Sequence, residues 1–315
     1  MATTTLRVQC HCKSTAFTFP VPSTSFPLSS GLCSCSSCRF ATGQLAASFA
    51  VFPLDPNHLK LDVSGLSSYA SSDHRTRYFC PTCGANVLDF DRLDGMWRAC
   101  TGALDRTQGL LERNLIFIDD TRDGGLTVWM DGVGKKFADS GDHEPMEGGP
   151  ARPQATEPAA LHPDARLHGF CHCNGVQFDI LPPSDGERYE GGLCACTSCR
   201  TTAGFEITAW TSVPLSQIQT PGQQSLDLSA GTLKQYTSSP GTSRYFCGRC
   251  GATVFCAHDN QSWIDVAVGL LRAKEGSRAE RWIKWSELGF PEEATDQEMI
   301  KRLAQGFKRW QSERN

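Results

Sequence analysis

The sequence has no apolar run approaching the roughly 18 to 20 residues of a membrane span. Its first residues, MATTTLRVQC, hold no apolar segment of the kind a secretory signal carries. Basic charge is not in excess. Lys and Arg number 30 against 34 Asp and Glu, for a formal charge of −4. Nonspecific binding to phosphate backbones needs the opposite field, so no nucleic-acid partner and no membrane partner is expected. No G-x-S-x-G elbow, P-loop or dinucleotide fingerprint stands out. The chain is 39% hydrophobic and 20% charged, which excludes global disorder. Its 315 residues suit two domains, each able to bury a modest core.

Cysteine, by contrast, is abundant. Sixteen cysteines without a secretory signal predict a reducing, cytoplasmic setting, where metal rather than disulfide explains them. Fourteen of them form a pattern that occurs twice. A shift of 161 positions carries Cys10, Cys12, Cys33, Cys35 and Cys38 onto Cys171, Cys173, Cys194, Cys196 and Cys199. A shift of 167 carries Cys80 and Cys83 onto Cys247 and Cys250. The neighbours repeat too: Arg77-Tyr-Phe-Cys80 matches Arg244-Tyr-Phe-Cys247, and Cys38-Arg39 matches Cys199-Arg200. This is an internal duplication rather than a solenoid array. It suggests that one chain mimics a dimer of single-domain units. Cys100 and Cys256 stand outside the pattern and read as small buried hydrophobes. Between the copies, residues 138–166 are rich in Pro, Gly, Glu and Ala with almost no large apolar residues. The expected organisation is a first domain at 1–137, a flexible linker at 138–166 and a second domain at 167–315.

The informative segments look like strands. Residues 16–21 and 176–180 alternate after the first cysteine pair. Residues 45–52 and 205–213 follow the triplets, and residues 86–90 and 253–256 leave the last pairs. Residues 96–104 and 263–271 give one further strand in each copy. Gly84 and Gly251, in the knuckles, are placed to take positive φ and turn backbone N–H groups toward sulfur. The expected fold is therefore mainly β with metal-tied loops. At the end, Thr295-Asp-Gln-Glu298 reads as a capping box. Met299, Ile300, Leu303, Phe307 and Trp310 then follow helical spacing. An amphipathic helix docked on the second domain is expected, with a partner-binding or membrane-surface helix as the alternative.

Structural zinc takes four ligands in a tetrahedron and favours thiolate. Seven cysteines per copy divide into a closed set of four and an open set of three. The closed sets are Cys10, Cys12, Cys80 and Cys83, and Cys171, Cys173, Cys247 and Cys250. The open sets are Cys33, Cys35 and Cys38, and Cys194, Cys196 and Cys199. Three protein ligands with a free fourth position are the pattern of catalytic zinc. Three thiolates outweigh the +2 ion, so this centre suits a soft fourth ligand such as a substrate thiolate. A metal-bound thiol is deprotonated, which points to thiol-adduct chemistry rather than hydrolysis. Up to four Zn2+ per chain are expected, two structural and two at open sites. A fourth protein ligand, making the triplets structural, is the competing reading.

His11 and His172 lie inside the closed sets, where a fifth ligand would overfill the site, so they read as exposed turn residues. Arg39 and Arg200 follow the triplets and are candidates either to pair with the anionic zinc centre or a substrate carboxylate, or to serve as solvated or structural residues. Arg77 and Arg244 read as structural. No general base is identifiable.

The combination Cys-x-Cys, Cys-x-Cys-x-x-Cys-Arg and Arg-x-Phe-Cys-x-x-Cys-Gly resembles the glutathione-dependent formaldehyde-activating enzyme family, which also includes centromere protein V. The resemblance covers most of both halves. It implies an Mss4-like fold, a structural zinc on the outer pairs and a second zinc on the triplet. It also implies carbon–sulfur lyase-type chemistry on an S-hydroxymethylglutathione-like adduct. This chain departs from the pattern at Ser34 and Ala195, where the family often has His, and at Val8 and Arg272. The reading is two tandem Mss4-like zinc-binding β domains with a C-terminal helix. They would act on a small-molecule thiol such as glutathione or its adduct. The alternative is a non-catalytic, zinc-stabilised protein- or chromatin-binding module.

Overall fold

A computed structural model of the chain describes residues 2–53, 61–141, 144–146, 161–184 and 186–314. The first half contains β1 (Thr3–Gln9), β2 (Ala16–Pro22), β3 (Leu28–Cys33), α1 (Ser36–Thr42), β4 (Ala47–Val51) and β5 (Ser67–Ala70). It continues with β6 (Arg75–Phe79), β7 (Asn86–Asp91), β8 (Met96–Cys100), β9 (Leu111–Ile116) and β10 (Lys135–Lys136). The second half contains β11 (Leu167–Phe170), β12 (Gln177–Ile180), β13 (Tyr189–Cys194), α2 (Thr197–Ala203), β14 (Thr208–Pro214) and β15 (Ile218–Gln219). Then follow β16 (Leu233–Ser239), β17 (Thr242–Cys247), β18 (Thr253–His258), β19 (Trp263–Ala267), β20 (Ile283–Gly289) and the helix α3 (Gln297–Ser312).

The duplication is visible in the topology. The main sheet of the first half runs β9-β3-β4-β8-β7-β6-β5, with β10 on its outer edge. That of the second half runs β20-β13-β14-β19-β18-β17-β16. In each, the strand leading to the triplet (β3, β13) lies parallel to a strand from late in that half (β9, β20). The alternation read at residues 16–21 is the pleat of β2, whose Phe19 and Val21 point inward and are fully buried; Leu6 and Val8 do the same from β1, which the sequence reading does not include. The fold is mainly β and Mss4-like.

Two strands are shorter than expected. β8 and β19 stop at Cys100 and Ala267, and short 3-10 turns follow at Thr101–Ala103 and Val268–Leu270. The cause is the contact between the halves. The Gly102 N–H donates to Gly204 O at 3.0 Å, and the Gly269 N–H donates to Gly43 O at 3.1 Å. A Cβ at Gly102 would stand 2.3 Å from Phe205 N, and one at Gly269 2.3 Å from Gln44 O. Only glycine admits this approach, which packs each half against the helix-end turn of the other. Buried Arg113 reinforces the boundary, reaching Glu206 at 2.7 and 2.8 Å and Asp296 at 3.0 Å. Of the segment read as a linker, residues 142–143 and 147–160 lie outside the described residues.

The C-terminal helix forms with the expected buried face: Met299, Ile300, Leu303, Phe307 and Trp310. Its cap is Asp296 rather than Thr295, with Asp296 Oδ1 accepting from the Met299 N–H at 3.0 Å. Thr295 instead meets the Thr107 hydroxyl at 2.9 Å. The docking surface is also broader than the second domain. Fully buried Trp129 of the first half packs on Phe307 and Trp310 of α3 and on Trp285 of β20, at centroid distances of 5.0 to 5.4 Å. The apolar face of α3 is therefore occupied within the chain. No helix among the described residues is long and apolar enough to cross a membrane.

Candidate metal centres

Strand ends bring the outer cysteine pairs together. Cys10 and Cys12 sit in the turn between β1 and β2; Cys80 and Cys83 sit between β6 and β7. Gly84 and Gly251 take φ of 78° and 77°, as the knuckle requires. Cys10, Cys12, Cys80 and Cys83 form one cluster, and Cys171, Cys173, Cys247 and Cys250 form its counterpart. Sulfurs of Cys10 and Cys12 lie 3.5 Å apart, and those of Cys12 and Cys80 lie 3.6 Å apart. In the second half, Cys171–Cys173 is 3.6 Å and Cys173–Cys247 is 3.5 Å. A tetrahedral zinc with sulfur ligands at about 2.3 Å sets its sulfurs about 3.8 Å apart. These spacings fit that ion, and all sixteen cysteines are free.

The triplets are built at a strand-to-helix junction. Cys33 ends β3, Cys35 caps α1 and Cys38 lies in its first turn. The Cys35 sulfur accepts from the Cys38 N–H at 3.3 Å, and Cys196 accepts from Cys199 at the same distance. Each triplet's sulfurs lie within 4.8 Å of one another. Without metal, each triplet shares its protons unevenly. Hydrogen bonds from Cys33 and Cys35, and then the charge of Arg77, drive Cys38 well below the ordinary thiol range. Cys33 is pushed well up, first by its contact with Cys35. Cys35 is pulled down by Cys33 but ends up at about 12 through Cys38 and burial. In the second half Cys199 is driven well down by Cys194, Cys196 and Arg244, while Cys194 rises.

The family model described as glutathione-dependent formaldehyde-activating enzyme matches residues 5–120 and 166–285. The chain belongs to this family. No curated protein matches it.

Within this formaldehyde-activating-enzyme fold, Arg39 and Arg200 take the structural one of their two expected roles, and Arg77 and Arg244 reach the triplets. Arg39, 5% exposed, donates through Nε to Ser34 O at 3.0 Å and stacks on Phe40. Arg200 donates to Gly102 O at 2.6 Å and Leu104 O at 3.1 Å. Both hold backbone carbonyls. Arg77 and Arg244 touch the triplets instead: Arg77 Nη2 lies 3.1 Å from Cys38 Sγ, and Arg244 Nη1 lies 3.2 Å from Cys199 Sγ. Arg77 Nη1 is buried with no hydrogen-bond partner among the described residues, as is the Ser34 hydroxyl between Cys33 and Cys35.

His11 and His172 are half-buried at the boundary rather than exposed in turns. The His172 backbone N–H donates to Phe40 O and the His11 backbone N–H to Thr201 O, so each sits against the triplet helix of the opposite half. His172 Nε2 lies 3.3 Å from the Ser37 hydroxyl, between Cys35 and Cys38 in sequence. Burial lowers the pKa of both imidazoles, with Arg77 adding to the effect at His172 and Arg244 at His11.

Sequence reasoning passed over two further pairs. A shift of 173 carries Phe117 to Phe290 and Asp120 to Glu293. Both phenylalanines are left-handed, with φ of 56° and 55°, a costly conformation for that residue. The carboxylates cap the triplet helices: Asp120 accepts from the Ser36 N–H, and Glu293 from the Thr197 N–H at 2.7 Å. The available signal was Phe-x-x-Asp against Phe-x-x-Glu at this third shift.

Proposed function

We propose that the protein is a zinc-dependent carbon–sulfur lyase-type enzyme. Its substrates are adducts of a glutathione-like thiol with an aldehyde or another electrophile. One observation carries this reading: each half gathers four cysteines into one cluster but only three into the other, and no fourth ligand joins the three among the described residues. On this reading Cys10, Cys12, Cys80 and Cys83, and Cys171, Cys173, Cys247 and Cys250, hold structural zinc. Cys33, Cys35 and Cys38, and Cys194, Cys196 and Cys199, hold zinc with an open position, up to four ions in all. Bound at a triplet, the ion supplies a positive centre that keeps a substrate sulfur as thiolate at neutral pH. Free thiols throughout accord with a reducing, cytoplasmic setting.

The chain's residues supply the rest. Arg77 and Arg244 offset the negative charge collected on Cys38 and Cys199. In the direction of adduct breakdown, the carbon–sulfur bond breaks with its electron pair going to sulfur. The adduct hydroxyl gives up its proton, and the carbon leaves as a carbonyl. His172, held neutral by burial, is assigned to receive that proton at the first triplet, and His11 at the second. The test is turnover of S-hydroxymethylglutathione by wild type and by the Cys35→Ser/Cys196→Ser double variant. Loss of turnover in a folded variant supports the reading; equal rates overturn it.

A further inference from the structure

Outside the four cysteine clusters, one more set of ligand-type side chains converges among the described residues. Cys256 and His258 lie on β18 and Asp265 on β19. Their ligand atoms all lie within 4.8 Å of one another. Cys256 Sγ is 3.7 Å from His258 Nε2, and that nitrogen is 3.9 Å from Asp265 Oδ2. One ring nitrogen facing both a thiol and a carboxylate describes ligands around a common point. A proton relay would use both nitrogens, one on each side. The remaining atoms have outer partners. Asp265 Oδ1 accepts from the Ser212 hydroxyl at 2.7 Å, and His258 Nδ1 faces the Thr242 hydroxyl at 3.4 Å. Such partners orient metal ligands.

The first half is an internal control. At the corresponding positions it carries Asp89, Asp91 and Arg98, with Arg75 in place of Thr242. Arg75 reaches Asp89 at 2.9 Å and Asp91 at 2.8 Å, and Arg98 stands 3.8 Å from Asp91. Arg98 also pairs with Asp94, so two guanidiniums there occupy the positions around the carboxylates and leave no place for a cation. In the second half both guanidiniums are gone, and a thiol, an imidazole and a carboxylate remain. Arg244, paired with Cys256 across β17 and β18, is engaged by Cys199 and Ser198.

We propose that Cys256, His258 and Asp265 form a divalent-cation site of zinc type, present in the second half alone. Thiolate, imidazole and carboxylate are all zinc ligands, and their two negative charges match the ion. Cys256 is 3% exposed and closes the inner side. The His258 side chain is 39% exposed and leaves an outer position for water. The site adjoins the second triplet, since Cys256 packs in one small cluster with Cys199, Trp210 and Ala267. A cation here would change the field at Cys199 and make the two triplets unequal.

The test is zinc per chain in the full-length protein, loaded with excess zinc, desalted and analysed for metal. His258→Ala and Asp265→Asn should each hold one zinc fewer than wild type, and the double variant also one fewer. The same single loss should occur in a Cys196→Ser background, which separates this site from the triplet and from any role assigned to it. Equal counts in wild type and His258→Ala overturn the proposal, as do losses that add in the double variant. A transplant into the first half (Arg75→Thr, Asp89→Cys, Asp91→His, Arg98→Asp), shown folded by circular dichroism, should gain one zinc. A folded transplant with no gain counts against the ligand set.

Discussion

His172 Nδ1 stands 2.6 Å from the Tyr69 hydroxyl across the boundary between the halves, and His11 Nδ1 stands 2.8 Å from the Tyr236 hydroxyl in the reciprocal contact. Each histidine lies between two cysteines of the four-cysteine cluster of one half and against the triplet helix of the other. The two candidate sites are thus composite. In a chain whose second triplet is disabled by Cys196→Ser, His172→Ala should lower adduct turnover by about 100-fold or more while leaving zinc content unchanged. The kcat and its pH profile check this. An unchanged profile would confine the pair to packing.

Arg77 is bonded to the cysteine that is most acidic in its triplet. Arg77→Met should weaken triplet zinc binding by about 10- to 100-fold in chelator competition, the range for loss of an outer partner. Arg77→Lys should recover only part of this, because lysine lacks the planar fork. Arg39→Met should instead lower the melting temperature with little effect on zinc affinity, because its bonds go to backbone oxygen and serine.

The Arg113–Glu206 pair makes stability fall in acid. Burial pushes the Glu206 carboxyl up, but Arg113 and Thr107 pull it further down, so it lies below its ordinary 4.5. A carboxylate more acidic when folded contributes stability that is complete above pH 4.5 and is lost as pH falls through the lower folded value. Glu206→Gln should cost about 3–5 kcal/mol near neutral pH by leaving a buried guanidinium underpaired. It should also flatten the acid limb of melting temperature against pH.

Metal removal should proceed in two stages. A mild chelator should empty the three-ligand sites first, leaving far-UV circular dichroism unchanged. Harsher chelation that opens the four-cysteine clamps should cost the sheets their cooperative melting, since metal binding there is folding free energy. Simultaneous loss of both classes of site would contradict this order.

Much of this was legible in the sequence because cysteine spacing and strand alternation are local signals. The knuckle glycines and the buried face of α3 follow from such patterns. The cap did not: Thr295 and Asp296 are both good cap residues, and the Thr107 hydroxyl bound to Thr295 comes from the other half. Arg39 is next to Cys38 in sequence but turns toward the Ser34 carbonyl. Arg77 is 39 positions away and arrives on β6. Sequence adjacency identifies neighbours along the chain, whereas the sheet decides which side chain faces a sulfur. Cys256 reads as an isolated hydrophobe because Asp265 becomes its neighbour only when β18 pairs with β19, although His258 stands two positions away on the same strand.

Trp129 carries a consequence for how the chain is made. Its aromatic partners, Trp285, Phe307 and Trp310, all come from the end of the sequence. A ribosome therefore makes this tryptophan long before its aromatic partners exist. The Trp129 face of the first half waits for β20 and α3 to emerge. A chain that stops before α3 would leave the face of Trp129 that meets Phe307 and Trp310 uncovered.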